Sequence, residues 1–88
     1  MTSNSSIPPI LDEAPCSDQL TEYDRAHAQL YLRLLDAEAA GADPSEISQL
    51  LLDLDPAQEP ERARRRLVSH LKRAHWMAQS GYRDLLSS

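Results

Sequence analysis

The sequence predicts an all-α fold: a small helix-turn-helix-like domain of three main helices, with a short C-terminal segment packing back on them. Three observations carry that prediction. Apolar residues recur at three- and four-residue spacing in three separate stretches. Helix-start signals stand at Thr21 and at Asp43-Pro44, and Gly41 and Gly81 stand where helices end. No alternating strand pattern and no internal repeat occurs.

Residues 1–17 contain Pro8, Pro9 and Pro15 among many serines and show no helical period, which predicts a disordered N-terminal arm. Its short apolar patch, Ile7, Ile10 and Leu11, is suited to docking on the domain or on a partner. The domain proper is expected over residues 18–88. Its first helix starts between Asp18 and Thr21, where Thr21 and Asp24 can cap each other, with Asp in place of the preferred Glu or Gln. Tyr23, Ala26, Leu30, Tyr31, Leu34 and Leu35 then form one stripe, and the helix ends at Gly41. Tyr23 and Tyr31 are expected to pack with their hydroxyls at the surface.

Asp43-Pro44-Ser45-Glu46 opens the second helix: Asp43 caps, Pro44 suits the first helical position, and Glu46 can reach back. Ile47, Leu50, Leu51 and Leu54 give its apolar face, and Asp55-Pro56 stops it. The third helix runs from Pro60 or Glu61 to about Ser80, with Ala63, Leu67, Leu71, Ala74 and Ala78 inward. Arg62, Arg65, Arg66, Ser69, Lys72, Arg73 and Trp76 fall on its opposite side. Tyr82, Leu85 and Leu86 are expected to fold back on the bundle.

A long helix, a short capped helix and a longer basic helix follow the order of a helix-turn-helix, although the connection Asp55–Glu59 exceeds the usual turn. Charge is strongly divided along this pattern. Residues 1–61 carry thirteen carboxylates against Arg25 and Arg33, and residues 62–88 carry seven cations against Asp84, so −11 and +6 give the net −5. A DNA binder of this size usually presents a broad positive face. Here one helix is basic and the residues leading into it, Asp53, Asp55, Glu59 and Glu61, are acidic.

No apolar run is long enough to span a bilayer, and the N-terminus has no signal-peptide pattern, so a cytoplasmic protein away from membranes is expected. Cys16 is the one cysteine, which excludes an internal disulfide and a multi-cysteine zinc site. His70 and His75 are five positions apart and do not share a face as a metal pair would. No nucleophile–base arrangement or phosphate loop occurs. An enzyme is therefore not expected, and neither catalytic residues, metal ligands nor a cofactor are assigned.

From Tyr31 to Leu86 several runs carry a family likeness: Leu34-Leu35-Asp36, Gly41-Ala42-Asp43-Pro44-Ser45-Glu46-Ile47, Arg64-Arg65-Arg66-Leu67, Ala74-His75-Trp76-Met77-Ala78 and Gly81-Tyr82-Arg83-Asp84-Leu85-Leu86. In these the chain resembles the RovC-like DNA-binding domain, a former domain of unknown function in proteobacterial regulators. In that family the domain forms the C-terminal part of larger activators and also occurs alone in small antiactivators. The resemblance implies the second kind: a protein that binds and inhibits transcriptional activators of the TraR quorum-sensing type and the FseA excision type. It would thereby repress excision and conjugative transfer of an integrative and conjugative element.

Two functions are weighed on the residues. As a helix-turn-helix DNA-binding regulator, the chain would set Arg62, Arg65, Arg66, Lys72 and Arg73 on phosphates and Ser69 toward a groove. The acidic approach to the third helix opposes that, because the start of a recognition helix meets the base edges. As a protein-binding antiactivator, monomeric when free, it would use Arg62, Arg65, Arg66, Ser69, Lys72, Arg73 and Trp76, with Leu50 and Leu54 from the second helix. Complementary charge would restrict its partners, and a buried aromatic or arginine would anchor them. The same residues have ordinary structural roles open to them. The arginines can form a solvated face paired with Glu61 and its neighbours, Trp76 can cover the core edge against Tyr82, and Leu50 and Leu54 can belong to the core.

Overall fold

Thr21 and Asp24 start the first helix by capping each other. The Asp24 N–H donates to Thr21 Oγ1 at 3.1 Å, and Asp24 Oδ2 accepts from the Thr21 N–H at 2.9 Å. The shorter Asp thus completes the box that Glu or Gln usually closes. A computed structural model describes residues 9–81, and among them the fold is all-α. Its elements are α1 (Glu22–Ala26), α2 (Ala28–Ala39), α3 (Pro44–Leu50), α4 (Pro60–Trp76) and a closing π-helical turn, Met77–Gly81. The expected return of Tyr82–Leu86, the Trp76–Tyr82 contact and Ile7 lie outside the described residues.

The single first helix expected from the sequence is divided at His27, which leaves helical geometry at φ −111°, ψ 20°. His27 is buried, and its ring lies 4.3 Å from that of Tyr23. Beyond the break Tyr31 and Leu34 face inward as the stripe requires. Gly41 ends α2 at φ +78°. The Ala42 N–H bonds to Ala37 O and the Gly41 N–H to Glu38 O, both at 3.0 Å, which is the Schellman arrangement that needs a left-handed residue at this point.

Asp43 caps α3 through the Ser45 N–H at 3.2 Å, with Pro44 in the first turn, as the sequence indicates. The helix, however, stops at Leu50 instead of continuing to Leu54. Asp53 takes a left-handed φ of 59°, and the N–H groups of Leu52 and Leu54 both turn back to Ser48 O, at 3.2 and 3.0 Å. This early stop reorders the leucines. Leu52 and Leu54 become buried, whereas Leu50, expected on the apolar face, is 80% exposed. Asp55 then builds the turn into α4 by accepting from the Ala57 N–H at 2.9 Å.

Pro60 occupies the first turn of α4. Ala63, Leu67 and Ala74 are buried as expected and Leu71 is half-buried. Ala78, expected inward, is exposed; Met77, three residues after the buried Ala74, fills the inner position where α4 passes into the π-helical turn. Helices α2 and α3 both pack on α4, and Tyr31, Leu34, Ile47, Leu52, Leu67, Ala74 and Met77 meet in one core. Ile10 and Leu20 pack against its edge.

Two expectations follow for stability. Leu34 is fully buried, so Leu34→Ala should cost about 2–5 kcal/mol in urea unfolding; a loss near zero would place it outside the core. Asp53→Gly should raise stability by up to about 1 kcal/mol, because glycine adopts a left-handed φ without a Cβ clash.

Candidate functional site

Four residues of α4, namely Arg62, Arg66, His70 and Arg73, recur at helical spacing and so share one face. That face grips the chain preceding α1. Arg62 donates to both carboxylate oxygens of Asp12 (3.1 and 3.0 Å) and pairs with Glu59. Arg66 Nη2 reaches Asp12 at 2.7 Å, and its Nη1 reaches Leu52 O at 2.7 Å. The Ala14 N–H donates to Ser69 Oγ at 3.0 Å. Arg73 donates to Ser17 O (2.6 Å) and Gln19 O (2.9 Å), and through Nε and Nη2 to Asp24 (3.0 and 2.6 Å). Residues 12–17 therefore run along α4 in its own direction as a strap. The domain boundary expected at residue 18 does not mark where packing begins, because residues 10–17 already belong to the bundle.

Between the two arginine clamps lies a neutral relay. The His70 Nδ1–H donates to Arg66 O at 2.7 Å, which leaves Nε2 to accept from the Tyr23 hydroxyl at 2.6 Å. The Tyr23 oxygen in turn accepts from the Leu11 N–H at 3.0 Å. His70 is fully buried, and burial lowers its pKa from the usual imidazole value. Tyr31, expected with its hydroxyl at the surface, is also buried and donates to Asp24 Oδ1 at 2.8 Å. Burial would raise the pKa of Asp24, but the bonds from Arg73, Thr21 and Tyr31 outweigh it and hold the carboxyl below the usual range. Hydrogen bonds from Arg62 and Arg66 bring Asp12 down to about 2.

This arrangement changes the reading of the predicted interface. Arg66 and Arg73 were placed on the outer side of the helix, yet both are buried. Their heads turn toward Asp12 and Asp24, carboxylates supplied by chain far away in sequence, so they are not presented to a partner. Arg62 remains exposed but is held by two carboxylates, and Ser69 is half-buried beneath the strap. Leu54 lies in the core-facing connection and is likewise withdrawn. Trp76 is half-buried, with the Arg73 guanidinium 3.9 Å from its ring centre, so one face of the indole is occupied from within.

What remains outward on α4 is Arg65 and Lys72, joined by Arg64 and Val68, which sequence reasoning did not single out. With Glu13, Glu61 and Ser69 they line a shallow groove of about 540 Å³. Val68 is 56% exposed between these cations. Among the described residues Arg64, Arg65, Lys72 and Glu61 form no ion pair, so the expected pairing of the arginine run with Glu61 and its neighbours is met by Glu59 with Arg62 alone. The groove offers charges of both signs around one apolar side chain. Leu50 stands apart on α3. Among the described residues no helix is long and apolar enough to cross a membrane.

The chain matches the family model of the RovC DNA-binding domain, described as "T6SS, Transcription factor, DNA binding domain", over residues 10–87. The match takes in the whole strap, whose residues bond to α4. No curated protein matches the chain. The chain belongs to the RovC DNA-binding domain family, a family of transcription factors and not of enzymes, which places it in transcription regulation.

The buried imidazole sets a pH dependence. Its pKa is lower in the folded chain than in the unfolded one, so protonation favours unfolding. The stability it contributes is complete above the ordinary value near 6.5 and is lost as pH falls below it. Urea midpoints for the wild type should decline from pH 7.5 to pH 5, and His70→Gln should flatten that decline even if it lowers stability throughout. An unchanged slope in the variant would remove His70 as its source.

Proposed function

We propose that this member of a transcription-factor family regulates transcription by binding protein, as an antiactivator that sequesters activators of the TraR and FseA type, and thereby restrains excision and conjugative transfer. The observation that carries this reading is the internal use of the α4 cations. Of its six Lys and Arg side chains, Arg66 and Arg73 are buried and Arg62 is paired with Asp12 and Glu59. Only Arg64, Arg65 and Lys72 remain outward, and Glu13 and Glu61 stand among them. At the approach to α4, where a recognition helix would meet base edges, Asp53, Asp55 and Glu61 are exposed.

Inhibition of this kind needs no chemistry. The bound activator would be held away from its dimer, its DNA or the polymerase, in a stoichiometric complex whose encounter is guided by complementary charge. Arg65 and Lys72 are the outward residues of the predicted set suited to that contact, with Trp76 at its edge. A second reading, direct DNA binding, is favoured by the family's description as a DNA-binding domain. On that reading Arg64, Arg65 and Lys72 would contact phosphates, and binding would weaken steeply with salt.

The two readings separate in a paired measurement at physiological salt. The purified chain is titrated against duplex DNA from element promoters and, separately, co-purified with TraR-type and FseA-type activators. The expected result is a stable complex with an activator and no specific DNA shift, with Arg65→Glu combined with Lys72→Glu weakening the complex by about 10–100-fold. Sequence-specific DNA binding, with no activator retained, would overturn the antiactivator reading.

A further inference from the structure

The early end of α3 leaves a second surface that the α4 face does not account for. Between α2 and α3 lies a groove of about 300 Å³ whose apolar lining is Ala37, Ala42, Ile47, Leu50 and Leu51. Leu50 forms its lip and is the most exposed large apolar side chain among the described residues, at 80%. An aliphatic residue held that far into water gains nothing for the fold, because the same helix buries Ile47 and the connection after it buries Leu52 and Leu54. The wall carries Asp36 and Glu46 against Arg33, and Asp43 is exposed at the start of the same helix. Leu32, 60% exposed, lies one turn before Asp36 on α2.

We infer that this groove receives an amphipathic helix of a protein partner, one that sets leucine-like anchors into the apolar floor and lysine or arginine beside Asp36 and Glu46. The charge of the wall selects the occupant. An apolar floor alone would accept any hydrophobic helix, but two lining carboxylates against one guanidinium favour a basic one over an acidic one. A second copy of the chain is a poorer fit. Its own outward basic face carries Val68 as the apolar residue between Arg64, Arg65 and Lys72, whereas a helix in a groove needs anchors repeated over one or two turns. The inference deepens the antiactivator reading by giving the partner a chemistry, a basic amphipathic helix, and a seat remote from the arginines of α4. It rests on that reading for the partner's identity and not for the existence of the site.

The test uses the whole chain, isotope-labelled, titrated with a synthetic helical peptide that has leucine at i, i+3, i+4 and i+7 and lysine on both flanks. A control peptide carries glutamate in place of lysine. The expected result is saturable amide shifts at Ala37, Ala42, Ile47 and Leu51, with binding weaker by about tenfold or more for the acidic peptide and for Leu50→Glu. Leu50→Glu is solvent-exposed and should leave the helical spectrum unchanged. Equal affinity for both peptides, shifts confined to α4, or no saturation up to about 1 mM would overturn the proposal. Concentration-dependent shifts at these amides without peptide would overturn it in favour of a second copy. The outcome stays distinct from that of the antiactivator reading. A groove that binds the basic peptide while no activator is retained preserves the site and removes the reading. An activator complex that survives Leu50→Glu but not the Arg65 and Lys72 changes preserves the reading and removes the site.

Discussion

The contact on which the rest of this structure depends is the buried ion pair between Asp24 and Arg73. Asp24 is fully buried and Arg73 nearly so. Two charges at that depth are tolerable only if nearly every hydrogen-bonding position is used. Here they are: Asp24 accepts from Thr21, Tyr31 and Arg73, and Arg73 also satisfies the carbonyls of Ser17 and Gln19. One carboxylate therefore caps α1, anchors the Tyr31 hydroxyl of α2 and fixes the far end of α4. Remove either partner and the other is left as an uncompensated charge in the interior.

The consequence for function is a matter of charge placement. A basic helix in an otherwise acidic chain looks in sequence like a nucleic-acid surface. Folding engages half of that basicity in ion pairs within the molecule, with Arg66 and Arg73 buried and Arg62 exposed. Arg66 closes the turn after α3 through Leu52 O and ties down Asp12, Arg73 closes the N-terminal strap, and Arg62 lies in a double pair. The helix that should supply a positive field instead organises the acidic segments around it, and its outward face retains charges of both signs. On the proposed reading such a surface would discriminate among proteins by local complementarity more than by long-range attraction to a polyanion. The groove between α2 and α3 differs in character, apolar in its floor with Asp36 and Glu46 against Arg33 at its edge.

Much of the fold was legible because its signals are local. The Thr21 box, the Asp43-Pro44 start, Pro60 at the head of α4 and the left-handed Gly41 each act within about one helical turn, and each stands where the sequence put it. The departures come from interactions that periodicity does not encode. Residue spacing sets Arg62, Arg65, Arg66, Ser69, Lys72, Arg73 and Trp76 on one outer side, whereas Arg66 and Arg73 are buried and Arg65 and Lys72 exposed. A polar stripe reads as a solvent face unless its partner is known. The partners here, Asp12 and Asp24, lie about fifty residues away, and Asp12 sits in a stretch with no helical period, where only the patch Ile7, Ile10 and Leu11 suggested docking. The end of α3 was misplaced for a similar reason. Asp55-Pro56 is a strong stop, but the left-handed Asp53 and the Arg66–Leu52 bond act before it, and together they turn Leu52 inward and Leu50 outward. Arg64 and Val68 were passed over because they fall between the stripes that spacing emphasises.

The most direct test of this account is a double-mutant cycle between Asp24 and Arg73, read by urea unfolding with Asp24→Asn, Arg73→Met and their combination. If Arg73 is an internal strut, each single change should cost about 3–5 kcal/mol, and the double variant should cost little more than either alone, because no charge is then left orphaned. Single costs below about 0.5 kcal/mol that simply add would mean that Arg73 faces solvent. In that case the basic face of α4 would be available to DNA after all.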